Sequence, residues 1–178
     1  MELRTDGLLL RPWRMDDAPE LAAACDDPEI ARWIPGIPSP YTEEDAREFL
    51  ELTLGHWDAG EAYNFVILDA ESGAILGSVG MRAQRMRVGH FGYWVARDAR
   101  GRGIATKALT ALCRWAVDEL GIERLELVTD PMNTASQRVA EKVGFQREGV
   151  LRSSLEYPDG RRRDSLMFSL LPEELGGA

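Results

Sequence analysis

The sequence predicts an α/β fold built on a mixed, mostly antiparallel central sheet. Three observations carry that prediction. The apolar pattern changes from helical to strand-like over Tyr63–Asp69, Ala74–Met81 and Val88–Ala96. The connections between these segments are short, which implies an antiparallel meander. The third segment is followed by a long amphipathic helix and then by the strand-like Leu125–Thr129. Strand, helix and strand in that order imply a right-handed parallel crossover, and so one parallel pair in the middle of the sheet.

The elements follow in order. Leu8–Pro12 reads as the first strand, and Asp16 and Asp17 are positioned to cap a helix reaching about Ala24. Trp33–Tyr41, "WIPGIPSPY", is a Pro-rich loop. Thr42 and Asp45 have capping-box spacing for a helix through about Asp58, with Ala46, Phe49, Leu50, Thr53 and Trp57 on its apolar stripe. After the first strand of the meander, Glu71-Ser72-Gly73 forms a turn. The long helix opens near Ile104, carries Ala108, Ala111, Leu112, Trp115 and Leu120 on one stripe, and stops at Gly121. Asn133–Val143 is a further helix, capped by Asn133 and ended by Gly144. Strand character returns at Phe145, Pro158-Asp159-Gly160 turns the chain, and the last strand lies near Asp164–Leu170.

The 178 residues make a single domain, 1–178, with a core over about 8–171. No apolar run approaches the ~18 residues of a membrane span, and the acidic N-terminus lacks a cleavable signal pattern. Cys25 and Cys113 are the only cysteines, each inside a helical pattern, and read as reduced buried residues of a cytoplasmic protein. The net charge of −9 argues against nonspecific nucleic-acid binding and permits attraction of amines. Arg161-Arg162-Arg163 reads as a charged hairpin flank, since three arginines after a tight turn make no extended groove.

Against the acidic background, Arg97, Arg100, Arg102 and Lys107 form a local basic cluster around "RGRGIA", Arg100–Ala105. A helix N-terminus leaves its first amide hydrogens unpaired and carries partial positive charge. A phosphate satisfies both. Gly101 and Gly103 remove the Cβ atoms that block close approach, and Arg100 and Arg102 add donors. The segment therefore reads either as a phosphate cradle over Arg100–Thr106 or as a surface turn. A P-loop is excluded because Thr106-Lys107 stands in the wrong order and spacing. A Rossmann fingerprint is excluded because Thr106 occupies the place of its third glycine.

Arg100-x-x-Gly103-x-Ala105 resembles the Arg/Gln-x-x-Gly-x-Gly/Ala signature of the GNAT superfamily of N-acetyltransferases. Phe91–Leu109 and Asn133–Gly149 resemble its RimJ/RimL-like branch, and so do "LLLRPWRMDDAPEL" and "PDGRRRDSLMFSLL". The similarity runs from about Leu8 to Leu171. It implies a GNAT-like fold, in which the parallel pair is splayed and helices cover both faces. It also implies acetyl-CoA as co-substrate, with no metal. The cradle amides of Arg100, Gly101, Arg102, Gly103, Ile104, Ala105 and Thr106 would hold the pyrophosphate. The edge Tyr93–Ala96 would pair with the pantetheine arm, and an amide near Val95 would face the thioester oxygen.

Asn133 and Ser136 match the family's Asn-x-x-Ser, with Ser136 near the sulfur as donor to the departing thiolate. The base is Glu156, His90 or a water chain, and Trp33, Tyr41 and Tyr157 match acceptor-site walls. The implied activity is acetyl transfer to a primary amine, on a protein N-terminus or a small molecule, by direct attack in a ternary complex. A homodimer accords with the branch. The alternatives are an acyl-CoA-binding regulatory module without turnover, and transfer of another acyl group such as succinyl.

Overall fold

The structure, a computed structural model, describes residues 1–157 and 159–176. The meander expected from alternating hydrophobicity is present as β3 (Ala62–Asp69), β4 (Ile75–Gln84) and β5 (Val88–Val95). It extends outward through β2 (Leu8–Pro12) and the short β1 (Leu3–Thr5), and inward through β6 (Arg124–Thr129), β8 (Arg162–Leu170) and β7 (Gln146–Glu156). The eight strands run β1-β2-β3-β4-β5-β6-β8-β7, and the only parallel pair among them is β5–β6.

Alternation along the strands builds two cores on opposite faces. Leu8, Leu10, Phe65 and Ile67 join one, while Val66 and Leu68 join the other. The first core is covered by α4 (Ile104–Leu120) and α5 (Thr134–Val143). The second is covered by α1 (Ala18–Cys25) and α3 (Glu43–Asp58). Fully buried side chains such as Trp13, Phe65 and Phe168 each contribute about 1.5–3 kcal/mol of apolar burial.

The caps expected for α3, α4 and α5 are present. Thr42 and Asp45 form the reciprocal box at α3, where the Thr42 amide donates to Asp45 Oδ2 at 2.7 Å. Gly121 and Gly144 end α4 and α5 in left-handed conformations. The helix stripe of α4 is buried at Ile104, Ala108, Leu112 and Trp115, and half-buried at Ala111 and Leu120.

Several boundaries differ from expectation. Asp17 does not cap α1; its carboxylate closes the preceding 3-10 turn on the Arg14 amide and pairs with Arg11 at 2.7 Å. β1 was not expected, because three residues are too short for a periodic signal. The helix α2 (Pro28–Trp33) was also missed, so Trp33 ends a helix rather than opening a loop. β4 runs on to Gln84, and β8 begins at Arg162. Pro158 of the expected turn lies outside the described residues, and the Gly160 amide donates to Tyr157 O at 2.8 Å. Cys25 and Cys113 are both unpaired and buried, and burial pushes both thiols up, that of Cys25 to about 12.

Candidate active site

The site begins where the parallel pair separates. β5 and β6 share pairs from Val88↔Arg124 to Phe91↔Leu127. Beyond that, β5 stays with β4 as far as Gly77↔Val95, and β6 stays with β8 as far as Thr129↔Leu166. Each strand is held by its outer neighbour while the inner edges part. The Ala96 amide donates to Leu76 O on the β4 side, at 2.9 Å. By strand alternation the Val95 N–H points the other way, into the gap.

Between β5 and α4 lies the segment expected to be the cradle. Gly101 and Gly103 adopt φ +75° and +74°, a left-handed conformation that favours glycine. A Cβ built on either would meet no atom within 4 Å. Neither glycine is therefore required by packing, and the loop presents open backbone. No side chain caps α4, and the first bond into the helix is Lys107 N–H to Gly103 O, at 3.1 Å. Among the described residues, the amides from Gly101 to Thr106 have no acceptor. A row of unpaired donors at a helix start with bare backbone around it fits a diphosphate. Ile104 and Ala105 are buried and anchor the row from beneath, and Thr106 is half-buried.

The basic cluster divides. Arg102 is exposed and forms no ion pair among the described residues, so it suits the expected role. Arg100 does not. Its Nη2 donates to Asp27 Oδ2 at 2.6 Å and its Nε to Val95 O at 3.1 Å. Arg97 donates to the other Asp27 oxygen at 2.9 Å. Asp27 is 5% exposed and caps α2 by accepting from the Glu29 amide. The hydrogen bond from Arg97, with help from Glu29 and Arg100, holds this carboxyl down to about 2 against the opposing effect of burial. Arg100 thus fastens this loop to the start of α2 through Nε and Nη2. Lys107 is paired with Asp6 at 2.6 Å.

Asn133 caps α5, its Oδ1 accepting from the Ser136 amide at 3.0 Å. The Ser136 hydroxyl is 2.9 Å from the Tyr93 hydroxyl, which also donates to Ser136 O at 3.2 Å. The pair bridges β5 to the first turn of α5. Burial pushes the Tyr93 phenol up to about 12, only partly opposed by Ser136, so the phenol keeps its proton near neutrality.

The loop from β6 to α5, which precedes Asn133 and Ser136 in the chain, opens onto a cleft of about 470 Å³. It is lined by Arg32, Asp130, Pro131, Met132 and Arg162–Asp164. Tyr157 adjoins it: Arg163 stacks 4.8 Å above its ring, and its hydroxyl donates to Arg32 O at 3.5 Å. Trp33 is half-buried at the end of α2 beneath Arg32, outside the cleft lining. Tyr41 is not a wall of the cleft; it packs into the second core with its amide bonded to Asp26. Apolar contact with α1 and α3 determines its place.

Neither proposed base meets Ser136. Glu156 pairs with Arg162 across the β7–β8 register. His90 Nε2 lies 2.9 Å from Glu126, which also receives Arg124 at 2.7 Å. The remaining hairpin arginines are likewise paired, Arg161 with Asp159 and Arg163 with Asp130. No group of three or more metal-ligating side chains occurs among the described residues, and no described helix is long and apolar enough to cross a membrane.

Sequence reasoning missed Asp27 and the side chain of Tyr93. Asp27-Pro28 carries a recognisable helix start, an acid followed by proline at the first helical position. Tyr93 shares the strand period of Phe91 and Val95, which directs it toward the α5 face.

Comparison with known proteins gives a consistent picture. The acetyltransferase (GNAT) domain model matches residues 7–146. The chain is 32% identical to the uncharacterized N-acetyltransferase p20 of Bacillus licheniformis, over 98% of both chains. It superposes on Mycobacterium smegmatis RimJ, solved in complex with CoA-disulfide, with a TM-score of 0.87 and 29% identity, covering 99% of this chain and 88% of that one. A ribosomal-protein-S5-alanine acetyltransferase from Vibrio fischeri shares the fold, with a TM-score of 0.86 at 22% identity and 98% coverage of each chain.

Proposed function

This chain belongs to the GNAT acetyltransferase family, an acyl-CoA-dependent transferase family, and on that premise we propose that it moves the acetyl group of acetyl-CoA to a primary amine by direct attack in a ternary complex. The observation that carries the reading is the run of unpartnered amides from Gly101 to Thr106, opening onto the inner edge of β5. Acetyl-CoA supplies an acetyl group already activated as a thioester. The cradle amides and Arg102 would hold its diphosphate, and the inner edge of β5 would take its amide-bearing arm, as an added strand would. The likeness to RimJ, which holds a coenzyme A disulfide, supports the same assignment.

The chain's own groups then have three tasks. The Val95 N–H faces the gap and is placed to stabilise negative charge on a carbonyl oxygen there. Ser136 Oγ can donate to a leaving thiolate of pKa about 8.5 when the single Tyr93 hydroxyl hydrogen turns from Ser136 O to Ser136 Oγ, 2.9 Å away. The cleft bounded by Asp130–Met132 adjoins α5 and is the natural seat of the acceptor. An α-amine, of pKa about 7.7–8.0, is partly neutral near pH 7. Its remaining proton can leave through water, since His90 and Glu156 lie outside the cleft lining. The acceptor is either a protein N-terminus or a small-molecule amine.

The test is to mix the protein with acetyl-CoA and a panel of amines and short peptides with free N-termini, following released thiol and acetylated product by mass spectrometry. Thiol release matched by product is the expected result. Saturable binding of acetyl-CoA with no thiol release from any member would replace transfer with a binding role.

A further inference from the structure

The cleft is lined by Arg32, Asp130–Met132 and Arg162–Asp164. Counting which of its polar groups are already engaged separates donors from acceptors. Asp130 is buried and engaged: one oxygen accepts from the Met132 amide at 2.7 Å and the other from Arg163 at 3.0 Å, and its side chain is 2% exposed. Asp164 accepts from the Ser153 amide at 2.8 Å. Arg162 is tied through Nε to Ser153 and through one terminal nitrogen to Glu156. Arg32 differs. It donates no hydrogen bond among the described residues, forms a loose ion pair with Glu29 at 3.8 Å, is 59% exposed, and has its guanidinium carbon 4.5 Å from the centre of the Trp33 ring.

The cleft thus offers an oriented guanidinium with its fork of N–H groups open, flanked by the partly engaged guanidinium groups of Arg162 and Arg163. Of its two carboxylates, Asp130 is buried and bonded through both oxygens, while Asp164 is exposed and bonded through Oδ1 alone. The lining sets three guanidinium groups against two carboxylates in a chain of net charge −9. A planar fork left open in a donor-rich cleft matches a carboxylate or phosphate.

We infer that the acceptor carries an acidic group close to its amine, and that Arg32 binds that group while the amine faces Ser136. The inference rests on the acetyl-transfer reading above and specifies its substrate class. The acid belongs either to a small amino acid or to an acidic residue next to a peptide N-terminus.

The experiment compares kcat/KM for ω-amino acids with that for alkylamines of the same length, for aminoalkyl phosphates, and for peptides with Glu or Gln at the second position. The acidic member of each matched pair is preferred about tenfold or more, and in Arg32→Gln that preference falls toward one. The arm with the larger preference identifies the source of the acid. Turnover that is equal for acidic and neutral members overturns the inference and leaves acetyl transfer standing. If no amine is turned over, the transfer reading fails, and calorimetry decides the binding claim with the same amino acids. Saturable heat weakened about tenfold in Arg32→Gln supports it, and absence of heat at millimolar concentration overturns it.

Discussion

Replacing Gly103 by glutamate tests the cradle most directly, because its two consequences can be computed apart. Gly103 has φ +74°, so any L-residue costs about 1 kcal/mol in the left-handed region. A new Cβ meets nothing within 4 Å, so no packing term is added. For a chain of this size, 1 kcal/mol lowers Tm by about 2–4 °C. Gly103→Ala carries the same backbone cost and serves as the control. The glutamate alone adds a negative charge at the mouth of the cradle. Two phosphate charges about 6 Å away, at an effective dielectric near 50, repel it by about 2 kcal/mol. Calorimetric titration with coenzyme A should then show about 10- to 100-fold weaker binding for Gly103→Glu than for Gly103→Ala. The gap should narrow as salt rises, since the screening length near 0.15 M is about 8 Å. Equal affinity in the two folded variants, or a gap indifferent to salt, would refute placement of a diphosphate at this helix start.

Three further outcomes are expected. Ser136→Ala should lower kcat by about 10- to 100-fold while changing the dissociation constant for coenzyme A by less than about threefold, as steady-state kinetics and calorimetry on the same preparation will show. Tyr93→Phe removes a half-buried hydroxyl bonded to Ser136, and should lower both kcat and stability, the latter by about 1 kcal/mol in a denaturant titration. Asp27→Asn keeps the cap on α2 but removes the charge clamped by Arg97 and Arg100. The folded carboxyl sits at about 2, below its ordinary value, so its contribution is complete above about pH 4 and disappears as pH falls toward 2. With exposed Arg97 screened by solvent, that contribution is about 1 kcal/mol, and denaturation curves of the two proteins should differ at pH 6 and converge near pH 2.

The parts of the fold that were legible in the sequence are those with a repeating signal. The alternation of β3 to β5 and the stripe of α4 each extend over many residues, so their identity survives small errors at the ends. Capping residues carried local geometry as well: Thr42 with Asp45, and Asn133 with Ser136, bond as their spacing implies. β1 and α2 escaped because three and six residues are too few to establish a period. The bare helix start at Gly101–Thr106 was legible because it is a main-chain feature, set by glycines and a helix opening. The fate of Arg100 was not, since its partner Asp27 lies 73 residues away and the pairing depends on tertiary packing. Tyr41 shows the same limit, as an aromatic residue in a Pro-rich loop gives no sign of whether it faces a ligand or a neighbouring helix.

Deep burial of both cysteines has a practical corollary for assays that follow liberated sulfhydryl. Their thiols are kept protonated and out of reach of a colorimetric disulfide dye while the chain stays folded. The native protein therefore contributes almost no background, and colour measures coenzyme turnover alone. A late rise of two equivalents per chain would signal denaturation in the cuvette, giving each kinetic trace its own check on integrity.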